Sequence, residues 1–157
     1  MRSGLLLWMT AVLSVGISGA QSAPSSACTL EKQVYTCNWQ AFESRLTAAH
    51  TVTIETDHLD RFARAELRKL ANELGKAVVK PGEPADLTFL LIPVEPTGIH
   101  LGPSGEPLAT LRIYAPGPDS TRGTLLWAET YKAQPDRPWP TVVEGLIEQF
   151  RARLPKR

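Results

Sequence analysis

Residues that usually carry metal or redox chemistry are scarce here. Cysteine occurs twice and histidine three times in 157 residues. Cys28 and Cys37 fall short of the four ligands that a structural zinc uses, and no histidine lies near them. Eight residues separate the pair, where a redox motif has two. No Gly-x-Ser-x-Gly elbow presents a nucleophile. The glycines at 98, 102 and 105 do not lead from a strand into a helix at phosphate-binding spacing. An excess of charge is also lacking: 17 Lys+Arg against 16 Asp+Glu leave +1. Nucleic acid and anionic membranes favour basic patches, which this balance gives no reason to expect. No catalytic residue, cofactor or metal is assigned from the sequence.

Long apolar runs are confined to the start. Arg2 precedes an apolar stretch from Leu5 to Ile17, and Ser18-Gly19-Ala20 puts small residues at −3 and −1 of a cut after Ala20. These are the parts of a secretory signal. The stretch is shorter than the roughly 20 residues a spanning helix needs. A lipidation box would want a large aliphatic residue three before Cys28, where Ser25 stands. The expected mature chain starts near residue 21, is periplasmic or extracellular, and has no later transmembrane segment. Losing Arg2 leaves sixteen basic against sixteen acidic side chains. In that compartment an even cysteine pair predicts a Cys28–Cys37 disulfide.

Periodicity gives the elements. Residues 21–27 read as a flexible lead. Trp39, Phe42, Leu46 and Ala49 form one stripe of a short helix from Asn38. Residues 51–56 alternate as a strand. Asp57 and Asp60 suggest a capping box before a helix carrying Leu59, Phe62, Ala63, Leu67, Leu70, Ala71 and Leu74, which Gly75 ends. The apolar run 85–92 predicts a central strand. A Pro/Gly-rich loop over 93–107 follows, then strands over 108–114 and 124–132. A last helix is expected over 141–154, with Thr141 and Glu144 at capping-box spacing and Val142, Val143, Leu146, Ile147, Phe150 and Leu154 on its apolar face.

The predicted domain is therefore α+β: a two-layer sandwich with a β-α-β-β-β-α core. A mixed four-stranded sheet carries two helices on one face, and a short N-terminal helix precedes it. The division is 1–20 signal peptide, 21–50 stapled N-terminal segment and 51–157 single domain. Across residues 51–154 the element order and the closing pattern GTLLWAETYK…W…VVEGLIEQFRARL resemble small bacterial envelope domains. The N-terminal domain of the Tol–Pal system β-propeller protein is one such domain. The resemblance implies a non-catalytic partner in an envelope assembly; it matches no specific motif and carries over no functional residue.

Two surfaces are candidates for a partner. On strand 124–132, Leu125, Trp127, Glu129 and Tyr131 share a face that Tyr114 is expected to join from the neighbouring strand; Thr124, Leu126, Ala128 and Thr130 share the other. If both helices cover the second set, Trp127, Tyr131 and Tyr114 form a Trp/Tyr face suited to binding. Alternatively, the N-terminal helix folds back through Trp39 and Phe42 and covers them. The second candidate is the loop 93–107 with His100, since loops of that length are often functional. Asp57, His58 and Asp60 read as a helix start rather than a metal set, and Ser104 as turn chemistry. The expected function is an exported, non-catalytic module that binds an envelope or extracellular protein. The alternatives are a small extracytoplasmic hydrolase using Asp, Glu and His, or a small-ligand carrier.

Overall fold

A computed structural model describes residues 27–31, 34–57, 60–93, 108–117, 123–134 and 136–155. The signal segment, His58, His100, Ser104 and nearly all of the 93–107 loop lie outside the described residues.

The chain is an α+β domain with its helices packed on a mixed sheet. Two short strands, β1 (Cys28–Glu31) and β2 (Val34–Cys37), form an antiparallel hairpin. Cys28 stands opposite Cys37 and is bonded to it. A staple was expected here, but not the strands, which are too short for a period to show. Helix α1 (Trp39–Ala48) follows at once, because the Asn38 side chain accepts the Ala41 N–H at 3.1 Å.

Next come β3 (Thr51–Glu55), α2 (Arg61–Glu73), β4 (Ala77–Val78), β5 (Leu87–Pro93), β6 (Leu108–Ala115), β7 (Thr124–Lys132) and α3 (Trp139–Arg153). The main sheet runs β4-β3-β5-β6-β7. β3 is parallel to β4 and β5, and β5, β6 and β7 form an antiparallel meander. The sheet thus has five strands where four were expected. The extra one is a two-residue edge strand that the turn after α2 delivers against Thr51 and Val52.

Helix boundaries differ from the sequence reading for local reasons. α2 begins at Arg61 with Asp60, not Asp57, as its cap: Asp60 Oδ1 accepts the Ala63 N–H at 2.8 Å. Its end is as predicted. Gly75 takes φ +70° and its N–H reaches Asn72 O, while the Lys76 N–H reaches Ala71 O, a Schellman closure. α3 starts two residues before Thr141, because Pro140 fits the first turn of a helix, where its missing N–H costs nothing.

The core lies between the sheet and the helices. Val52, Ile54, Leu87, Phe89, Leu91, Ala109, Leu111 and Ile113 meet Ala63, Leu67 and Leu70 of α2 and Val143, Leu146, Ile147 and Phe150 of α3. Register is locked at the bottom of the sheet by Asp86. One of its carboxylate oxygens accepts from His50 N, Thr51 N and Thr51 Oγ1, while the Asp86 N–H donates to Thr51 Oγ1. That clamp fixes Val52 opposite Leu87.

Candidate functional site

A bulge in β7 decides what the site is made of. Ile113 lies opposite Trp127, but Tyr114 lies opposite Leu125, so Leu126 is an extra residue on β7. Strict alternation would separate Leu126 from Trp127. The bulge turns both into the core, at 1% and 6% exposure.

This corrects the face assignment made from period two. The helices cover the face of Trp127, Glu129 and Tyr131. Tyr114 is on the opposite face, paired with Leu125, and is 9% exposed. Of the two alternatives for Trp127, the structure has the covered one. Trp39 meets it edge-on at 5.0 Å and Phe42 stacks on it at 5.2 Å. Tyr131 is half-buried, its ring against Gly145 of α3. Trp127, Tyr131 and Tyr114 therefore form no common open face. The predicted site residues Cys28 and Cys37 form the brace described above, and Cys37 reaches the cleft described next.

The cleft opens where the hairpin crosses β7. Tyr35, Thr36 and Cys37 of β2 form one wall, and β6 and β7 form the floor with Thr110, Arg112 and Thr130. Gln149 and Arg153 of α3 close the far side, and the volume is about 610 Å³. The disulfide closes the hairpin, and the chain runs from Cys37 straight into the Asn38 cap, which sets the closed hairpin beside the start of α1.

Glu129 is the buried acid of this cleft, 4% exposed. A buried carboxylate is tolerated only with charge and hydrogen-bond partners. Trp127 Nε1 donates to Oε2 at 3.2 Å and Gln149 Nε2 donates to Oε1 at 2.5 Å. Arg153 Nε lies 2.9 Å from Oε1 and 2.7 Å from Oε2, its guanidinium 5.7 Å from the centre of the Trp127 ring. Gln149 also donates to the Thr130 carbonyl at 3.2 Å and so covers part of the free edge of β7. With four contacts from three donors, Glu129 ties β7 to α3 and shapes the cleft.

Arg112 has the opposite character. It lies on the face away from the helices, its guanidinium 5.3 Å from the centre of the Tyr35 ring. Its Nε is buried and has no hydrogen-bond partner. Beside it the hydroxyls of Thr110 and Thr130 bond each other at 2.9 Å. Sequence reasoning passed over Arg112, Tyr35, Gln149 and Arg153 as site residues, and placed Glu129 only as a neighbour on the Trp127 face. The available signals were a cation in the middle of strand 108–114 and an acid in the middle of strand 124–132.

Among the described residues, no three His, Cys, Asp or Glu side chains gather as a metal set. No helix among them is long and apolar enough to cross a membrane.

No protein-family model matches the chain, and no curated protein matches it. Among solved structures it is similar to a PelC dodecamer from Paraburkholderia phytofirmans. The TM-score is 0.39 at 16% identity, over 71% of this chain and 91% of that one. A point variant of the same dodecamer gives 0.36 at 18% identity, over 69% and 88%. Likeness at this level assigns neither a family nor an activity.

Proposed function

We propose that this chain is an exported, non-catalytic module that binds a protein partner in the cleft between the disulfide hairpin and β7. One observation carries the reading: the cleft is braced covalently through Cys28–Cys37, yet remains open and lined with an aromatic ring, two guanidinium groups and hydroxyls. Interfaces draw on such residues, with Tyr and Arg prominent among hot spots. The acid inside it, Glu129, is occupied by Trp127, Gln149 and Arg153, which suits a scaffold rather than a proton carrier. The leader-like residues 1–20, the disulfide and the resemblance to envelope domains of the Tol–Pal type support an envelope or extracellular setting.

The test is affinity capture with the folded, oxidised domain from the envelope fraction of the source organism, run beside a Thr36→Arg variant. Thr36 is exposed in the wall of the cleft. A partner recovered with the wild type and lost with the variant is the expected result. Equal recovery by both, or no recovery above control, counts against the reading.

A further inference from the structure

We propose, resting on the binding-module reading above, that the cleft recognises a carboxylate carried by the protein partner, and that Arg112 is the residue that grips it. A guanidinium partly removed from water normally finds an acid, because desolvating a cation is expensive. Arg112, half-buried, has none among the described side chains. It meets the face of Tyr35, which shields the cation without neutralising it. Arg112 lines the cleft, and of its nitrogens only Nε is both buried and unpaired. Two parallel N–H groups at the end of a planar fork match the two oxygens of a carboxylate.

The charge of the cleft selects the ligand. Its ionised lining side chains are Arg112, Arg153 and Glu129, a formal +1. Arg153 is already committed to Glu129, so the uncompensated charge is that of Arg112. One monoanion neutralises it. A phosphate dianion carries more charge than this single cation matches. The Thr110–Thr130 pair adds a donor: the bond between two hydroxyls uses one hydrogen and leaves the other for a ligand.

The experiment reads the Nε–Hε resonance of Arg112 by nitrogen NMR on the oxidised mature chain. It is titrated with sodium acetate, acetamide, sodium phosphate and sodium chloride at matched ionic strength. The expected result is a saturable shift of Arg112 Nε–Hε and of the Tyr35 ring with acetate, and none with acetamide or chloride. No acetate response, an equal chloride response, or a stronger phosphate response overturns the proposal. Two peptides then separate the sources: one capped at both ends with a single internal Glu, one acid-free with a free C-terminus. The expected result is a response to one or both, and silence from both overturns the assignment to a peptide carboxylate. In parallel, Arg112→Gln should lower partner capture at least about tenfold while its melting temperature does not fall. Undiminished capture by Arg112→Gln removes the carboxylate while leaving the module reading intact. An acetate-specific shift with no captured partner does the reverse.

Discussion

Asp60 and Trp139 lie 79 residues apart and are joined side chain to side chain: the indole N–H donates to Asp60 Oδ2 at 2.6 Å. The other oxygen of the same carboxylate caps α2 through Ala63. One acid therefore starts one helix and anchors the first turn of another. Replacing it by alanine removes a cap and leaves an indole N–H without its acceptor. Each loss is about 1 kcal/mol, so Asp60→Ala should destabilise by about 2 kcal/mol. Asp60→Asn keeps an oxygen for Ala63 but presents an NH₂ to Trp139, and should lose about half as much. Denaturant melts of the three proteins check the order.

Gly145 of α3 lies directly against the ring of Tyr131 on β7. A methyl group there would come within 2.7 Å of the Tyr131 hydroxyl oxygen, and closer still to its ring. Alanine favours helices, but here overpacking outweighs propensity. Gly145→Ala should cost about 1–3 kcal/mol, and most of the loss should vanish in a Tyr131→Ala background. Equal losses in both backgrounds would contradict the contact.

Acid stability should depend on Asp86. The N–H of His50, then the N–H and hydroxyl of Thr51, hold its pKa below the ordinary 3.8. The folded value lies under the unfolded one. The contribution is therefore complete above the unfolded value and fades as pH falls through the folded one. Asp86→Asn should flatten the acid limb of a stability–pH curve below about pH 4, where the wild type still declines. Parallel limbs would show that the clamp at the start of β3 is not what titrates.

Much of the main domain was legible because its elements obey their periods. The limits 124–132 for β7 and the Gly75 stop of α2 follow from alternation and from a residue that accepts a positive φ. The layers follow from the stripes of α2 and α3. What escaped was non-local. Register is one such feature: Trp127 pairs with core-facing Ile113, so Tyr114, next along β6, lies on the other face, and the bulge adds Leu126 to the core. β4 exists only because the turn after α2 lays two residues on β3. The cleft is the least legible part, since Tyr35 and Arg112 meet across 77 residues of sequence and no local pattern announces it.

Reducing the disulfide should loosen the cleft more than the core. The bonded loop of about ten residues stabilises by roughly 2–3 kcal/mol in chain-entropy terms. Cys28 is buried and Cys37 packs against the helix–sheet core, but both lie at its margin, outside the main cluster. In a Cys28→Ser/Cys37→Ser protein, amide exchange should rise sharply over 34–37 and at the residues of β7 beneath the hairpin. β3 and β5 should keep their protection. Uniform loss of protection would mean that the hairpin is part of the global folding unit.

The central claim is that partners meet this chain at the cleft beside the hairpin, and site-specific photocrosslinking in the native envelope tests it most directly. A photoreactive residue replaces Thr36, in the cleft wall, or Glu83, exposed in the turn before β5. The account predicts a discrete adduct from position 36, abolished by Arg112→Gln, and none from position 83. Adducts from 83 with none from 36 would contradict it.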